Sequence, residues 1–201
     1  MKSTIQPRNT PQQARSRQTR EDILKATAHL LNRRPLGEVS TNHIAKKTGI
    51  SIGTLYKYYP NKDAILADLS LRFMRQDAEL FGGIFEEAAR KKLTKAGLVD
   101  HLVEALMTVH RDDAQVRGVV YQNLERLKLR GQAQAATREI HTKGAASVPE
   151  LDPVSMWVAI SAINAAVQSM SQAPKELRQW EFVRGLVQRI LGGLLEQGRG
   201  I

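Results

Sequence analysis

Between Thr19 and Leu69 the chain reads TREDILKATAHLLNRRPLGEVSTNHIAKKTGISIGTLYKYYPNKDAILADL, and every Pro and Gly there except Gly53 falls between short apolar-periodic runs. Pro35 and Gly37, then Gly49, then Pro60 divide the stretch into three short segments that lead into a longer fourth. In the first, Ile23, Leu24, Thr27, Ala28 and Leu31 recur at the helical period, predicting a helix over about 20–33 with Glu21 and Asp22 in its first turn. Ser40 or Thr41 caps a second short helix to about 47, with Ile44 and Ala45 inward, and Gly49 makes the turn. Ser51 caps the third, which Pro60 stops, and Asn61 caps a fourth with Ile65, Leu66, Leu69 and Phe73 on one face and no break before Gly82 and Gly83. Three short helices joined by tight turns and followed by a long one are the outline of a helix-turn-helix module.

Charge follows the same division. Residues 1–62 hold 12 Lys or Arg against 3 Asp or Glu, a net +9, whereas residues 63–201 hold 18 against 17, a net +1. A merely basic, well-solvated surface would spread the excess along the chain, so its concentration points to a polyanion-binding face. Residues 1–18, rich in Gln, Arg, Ser, Thr and Pro, cannot bury enough apolar surface to order themselves and are expected to form a mobile arm. Arg8, Arg15 and Arg17 on that arm either reach a nucleic-acid backbone or minor groove or belong to a spare tail.

On a helical wheel Ile52, Gly53, Tyr56 and Lys57 share one side of the third helix, and Leu55 and Tyr59 turn the other way. If Leu55 and Tyr59 pack inward, an Ile, a bare Gly, a Tyr and a Lys are left outside. That set suits a DNA major groove, where Gly permits close approach, Ile meets a thymine methyl and Lys reaches guanine O6 or N7. Thr54 and Tyr58 flank this face, and Thr41 and Lys62 begin helices, so their hydroxyls and ammonium suit phosphate contacts. Simpler roles stay open: Thr41 as a cap, Tyr58 as core, Lys62 as a solvated lysine.

Thr41, Ile44, Ala45, Thr48, Gly49 and Ile50, followed by Gly53, Thr54, Leu55, Tyr56, Tyr58, Tyr59, Pro60, Asn61, Lys62 and Leu66, closely resemble the DNA-binding module of the tetracycline-repressor (TetR) family. The resemblance covers about residues 19–69. Tyr59 stands where Phe is commoner and Asn61 where Ser is common. The resemblance implies a homodimeric bacterial transcription regulator, usually a repressor, whose C-terminal helical domain binds a small-molecule effector and thereby releases a double-stranded DNA operator. It implies base contacts from Ile52, Gly53, Tyr56 and Lys57, with Asn42 a further candidate, and phosphate contacts from Thr41, Thr54, Tyr58 and Lys62.

The expected fold is all-α, with about nine helices. A basic arm (1–18) and a three-helix DNA-binding domain (19–63) precede an effector-binding and dimerisation domain (64–201). After the fourth helix, further ones fit about 84–92, 95–111 and 114–130, another to about 146, and a last pair over 153–171 and 175–196. Ala162 and Ala166 allow close helix approach in the penultimate helix, and Val183, Val187, Ile190 and Leu194 form a stripe on the last, predicting a two-fold four-helix interface. His110, Tyr121 and Trp157, which combine apolar area with a polar tip, are the anchors expected for an effector.

Catalysis is not expected. The five His show no paired metal-ligand spacing, no phosphate loop or nucleophile elbow occurs, and adjacent Asp112 and Asp113 are read as a cap and dipole partner rather than a cation site. No Cys is present, no cofactor or metal is expected, and the weakly polar run at 154–167 is too short to cross a bilayer, so a cytoplasmic location is expected. A DNA binder without an effector, whether constitutive or architectural, and an activator remain the alternatives.

Overall fold

The computed structural model describes residues 11–147 and 179–197, together with positions 154, 157, 158, 161, 165, 166, 169, 170, 173 and 176. Among these residues the chain is all-helical. The α-helices are α1 (Pro11–Leu31), α2 (Thr41–Thr48), α3 (Ile52–Tyr58), α4 (Lys62–Lys91), α5 (Lys95–Asn123), α6 (Arg130–Ser147) and α7 (Trp180–Gln197), with a 3-10 turn at Leu36–Glu38. Eight of the positions between α6 and α7 are also helical. No helix among the described residues is long and apolar enough to cross a membrane.

The chain divides into two compact units at Leu69/Ser70, inside α4 rather than near residue 63. In the first unit, α1 starts at Pro11, so residues 11–18 are helical and not the irregular arm expected for them. Residues 1–10 of that arm lie outside the described residues. Propagating a formed helix costs far less than nucleating one, Pro is favoured at a first helical position, and Thr19 Oγ1 donates back to Arg15 O at 3.0 Å.

The core of this unit is Ile23, Leu24 and Leu31 of α1, Val39, Ile44 of α2, Leu55 of α3, and Ile65, Leu66 and Leu69 of α4, all buried. The one buried hydroxyl on α1, that of Thr27, donates to Ile23 O at 2.8 Å. Ser40, not Thr41, caps α2: its hydroxyl accepts from His43 N at 3.2 Å in a capping box. Gly49 follows α2 at φ +76°, a left-handed conformation that favours Gly. Ser51 Oγ accepts from Thr54 N at 3.0 Å to cap α3, and Asn61 Oδ1 accepts from Ala64 N at 2.9 Å at the start of α4.

In the second unit α4 runs on through Gly82 and Gly83, which were expected to break it. Gly costs a helix only about 1 kcal/mol against Ala, which burial of Phe85 and Ala88 on the same helix can offset; a Cβ at Gly82 would make only ordinary contact with the Lys143 side chain, at 3.4 Å from Cδ, and one at Gly83 would meet nothing. Helix α5, by contrast, is two helical segments joined across a kink at Asp113, at φ −112° and ψ 17°, where the break between the helices expected over about 95–111 and 114–130 falls. Phe85 and Ala88 of α4, Leu98, Val99, Leu102, Val103, Leu106 and Met107 of α5, and Val183 and Val187 of α7 form one buried cluster.

Two buried ionisable features sit in this unit. Arg117 Nη1 donates to Asp77 Oδ2 at 2.9 Å, and its guanidinium lies 4.5 Å from the Phe73 ring centroid. His141 is 8% exposed, has no hydrogen-bond partner for either ring nitrogen, and stacks on Trp157 at 6.0 Å. Burial lowers the His141 pKa. The unfolded chain therefore takes up the proton first as pH falls below about 6.5, and stability declines there.

Replacing His141 by Phe keeps the stacked ring and removes the unpaired nitrogens. The expected result is a higher urea midpoint at pH 7 and a shallower loss of stability from pH 7 to pH 5, measured by chemical unfolding across that range. Lys92 and Lys128 follow α4 and α5 at φ +50° and +56°. The left-handed region disfavours L side chains by about 1–2 kcal/mol, so Gly49→Ala is expected to lower the unfolding free energy by about 1 kcal/mol. By the same argument Lys92→Gly is expected to raise it by a few tenths to about 1 kcal/mol. Urea midpoints of the two variants read out the opposite signs.

Candidate nucleic-acid interface

Leu55, fully buried, and Tyr59, 4% exposed, hold α3 against the first unit's core, and the opposite face is therefore presented outward. On that face Ile52 is 37% and Tyr56 51% exposed, with Gly53 and Lys57 exposed beside them. A Cβ on Gly53 would meet nothing nearer than Ser51 Oγ at 3.9 Å, so the space over this residue is open. An exposed Ile and Tyr cost solvation unless something covers them. A lysine and an open glycine stand alongside them.

Helix α2 contributes to the same neighbourhood. Thr41, its first residue, lies with its hydroxyl 3.2 Å from the Tyr56 hydroxyl, which joins the start of α2 to the outward face of α3. Asn42 is exposed next to it, and Lys46 and Lys47, not singled out in the sequence, are exposed in the last turn of α2. Thr54 is half-buried, with its Oγ1 2.8 Å from Ser51 Oγ; Tyr58 is also half-buried. Of the expected contact residues, Asn42, Ile52, Gly53, Tyr56 and Lys57 are thus exposed, and Thr41, Thr54 and Tyr58 partly so.

Lys62 departs from the expectation. Two of its three ammonium donors go to Leu36 O and Val39 O, each at 2.8 Å, and so fix the 3-10 turn that precedes α2. Backbone carbonyls 23 and 26 positions earlier in the chain, which no local pattern reveals, thus hold the ammonium expected to meet a phosphate.

Behind α3 lies a polar cluster that the sequence did not show. Tyr59 OH donates to Asp68 Oδ2 at 2.6 Å, Arg20 Nη2 donates to the same oxygen at 2.7 Å, and the Arg20 guanidinium carbon is 5.9 Å from the Tyr59 ring centroid. Burial, followed by the hydrogen bond to Asp68, pushes the Tyr59 phenol up to about 12, so it stays a donor at neutral pH. The spacings, 9 and 48 residues, match no helical period, which is why periodicity could not find them.

The second unit redistributes the residues expected for dimer and pocket. Val183 and Val187 are 2% and 0% exposed in the chain's own core, so they are not available as an interface. Their stripe has been covered by α5, an intrachain neighbour. Ala166 and Ile190 are half-buried; Ala162 and the side chain of Leu194 lie outside the described residues. Among the described residues, the large apolar side chains of this unit left outward are others: Val154 at 69%, Trp157 at 55%, Val158 at 47% and Phe182 at 59% exposed, with Leu80 on α4 at 36%. Trp157 is thus not enclosed within this chain, as a pocket anchor would be.

The His110 side chain lies outside the described residues. Tyr121 is half-buried, and its pKa is raised by burial first and by the Asp77 charge second. Beside it, the Arg117 side chain is only 4% and the Asp77 side chain 17% exposed. Arg117 Nε and Asp77 Oδ1 have no hydrogen-bond partner, and burial raises the Asp77 pKa despite the guanidinium against it.

Residues 23–69 match the profile of bacterial regulatory proteins of the tetR family. Over 54 residues the chain is 43% identical to the HTH-type transcriptional regulator EthR of Mycobacterium tuberculosis (strain H37Rv), a match covering 27% of this chain and 25% of that protein. The chain thus spans about a quarter of the length of the curated relatives it matches. Similarity in fold extends much further. A TetR-family transcriptional regulator from Mesorhizobium loti MAFF303099 superposes with a TM-score of 0.71 at 17% identity, covering 90% of this chain and 97% of that one. Thermus thermophilus FadR, a TetR-family repressor solved in complex with lauroyl-CoA, gives 0.60 at 17% identity, covering 90% and 95%. Residues 23–69 thus match the tetR family of bacterial regulatory proteins in sequence, and the chain as a whole resembles solved members of that family in fold.

Proposed function

We propose that this protein is a sequence-specific regulator of transcription that binds double-stranded DNA as a homodimer, represses from a palindromic operator, and leaves it when a small molecule binds the helical body. The observation that carries the reading is the outward face of α3, where Ile52, Gly53, Tyr56 and Lys57 stand together on the module that holds a net +9 with the residues preceding it. Ile52, Gly53, Tyr56, Lys57 and Asn42 are assigned to bases, and Thr41, Thr54 and Tyr58 to phosphates.

Dimerisation is assigned to the exposed Val154, Trp157, Val158 and Phe182 with half-buried Ala166 and Ile190, in place of the buried valines. Four large apolar side chains left in water by one chain are the kind of surface that a second copy removes from it. For the effector, the complex of Thermus thermophilus FadR with lauroyl-CoA supports a small-molecule role for the body of this fold. Tyr121, with the incompletely paired Arg117 and Asp77 beside it, offers polar groups that an effector could satisfy.

Selection of bound sites from random duplex DNA by the full chain, followed by salt titration of affinity, tests the proposal. An inverted repeat bound far more tightly than scrambled DNA is expected. Single half-sites would contradict the dimer, and salt-dependent binding with no motif would replace a regulator by an architectural DNA binder. On the selected duplex, Tyr56→Ala and Lys57→Ala are each expected to lose about 1–3 kcal/mol of specific binding and to relax the preferred sequence. Lys62→Met is expected to lower the melting temperature while leaving the slope of log K against log salt unchanged, because its ammonium holds carbonyls. A slope reduced by about 1 would return Lys62 to the phosphates.

A further inference from the structure

Helix α3 is seven residues long, and within it only Leu55 is buried. One apolar side chain fixes the distance of a helix from its support but leaves it free to rock about the contact. A second attachment is needed to set its direction. Tyr59, the residue that ends α3, supplies one: its ring is 4% exposed, and its hydroxyl reaches Asp68 on α4 at 2.6 Å. The same carboxylate oxygen takes the Arg20 guanidinium of α1 at 2.7 Å. The Asp68 side chain is 17% exposed and that of Arg20 53%, so the carboxylate is largely withdrawn from water while its cation keeps one side in it.

Charge-assisted hydrogen bonds of this kind are short, directional and stronger than neutral ones. They also meet at one atom, so that α1, the end of α3 and α4 share a single fixed point. Groups that read base edges must be held to within about 0.5 Å of their productive geometry. Tyr56 and Lys57 precede this point by only three and two residues.

We propose that Asp68 is a positioning residue for DNA recognition, which sets the direction of α3 through the Tyr59 hydroxyl and is itself held by Arg20, without touching DNA. The proposal rests on the DNA-binding function proposed above. A phenylalanine at 59 would bury the same ring, so what the hydroxyl adds is its hydrogen bond to Asp68, beside the Arg20 guanidinium.

The test uses the full chain, the inverted-repeat duplex returned by selection, and a scrambled duplex of equal length. Tyr59→Phe removes one hydrogen bond and keeps every apolar contact; Asp68→Asn removes the charge at nearly constant volume. Affinities are measured at a temperature where thermal melting shows each variant folded. Each substitution is expected to weaken binding to the inverted repeat on the order of tenfold, within the range that one base contact is worth. Affinity for scrambled DNA and the salt slope are expected to stay unchanged, and the double variant to be no weaker than Asp68→Asn alone. A merely structural role would lower the melting temperature and leave the ratio between the two duplexes intact, and that result would overturn the proposal. Additive losses in the double variant would overturn the link through Tyr59. Should Asp68→Asn fail to fold, the affinity ratio for Tyr59→Phe decides. A wild-type chain that does not distinguish the two duplexes overturns the DNA-binding function, and this proposal with it, whereas discrimination kept by the variants overturns the positioning role alone.

Discussion

Helices of eight and seven residues are too short to persist in water, where even favourable sequences need about 12–15 residues, so α2 and α3 exist only through what they bury and how their ends are closed. Ile44, Ala45 and Leu55 supply the burial. Ser40, Gly49 and Ser51 close the ends between them. The outward face of α3 is a consequence: with Leu55 committed to the core, helical geometry leaves Ile52, Gly53, Tyr56 and Lys57 on the far side. Lys62 belongs to the same economy, since it satisfies two carbonyls of the turn leading into α2.

The second unit is built on a different balance. Its core is a broad apolar seam between α4, α5 and α7, and within this unit stand a buried ion pair and a histidine with no hydrogen-bond partner. A buried ion pair contributes little net stability, because desolvation of both charges offsets their attraction. Arg117 and Asp77 are therefore poor candidates for a purely stabilising role, and the rise in the Asp77 pKa shows which side of that balance prevails at the carboxyl.

The sequence revealed the first unit in proportion to how local its determinants are. Caps at Ser51 and Asn61 and breaks at Gly49 and Pro60 act over three or four residues, and the ends of α2, α3 and the start of α4 were read from them. The start of α1 was not, because residues 11–18 carry no apolar pattern and are helical by extension of a neighbouring segment. Gly82 and Gly83 looked like a boundary because a pattern shows the cost of glycine and not the burial of Phe85 and Ala88 that carries the same helix onward. Val183 and Val187 were correctly read as an apolar stripe, but periodicity cannot say whether a stripe meets its own chain or a copy. Among the candidate site residues, the exposed face of α3 followed from one wheel, whereas the Lys62 carbonyls and the Arg20–Tyr59–Asp68 cluster are tertiary facts.

The hydrogen bond between the Thr41 and Tyr56 hydroxyls bears on the entropy of association. A tyrosine half out of the protein would ordinarily sample several rotamers and surrender them when it met a partner, at a cost of about 0.5–1.5 kcal/mol for a mobile side chain. Tethered to the first residue of α2, the ring has given up part of that freedom during folding, when the core could offset it. The face of α3 thus meets its partner already partly rigid, and the freedom saved at Tyr56 is retained as affinity.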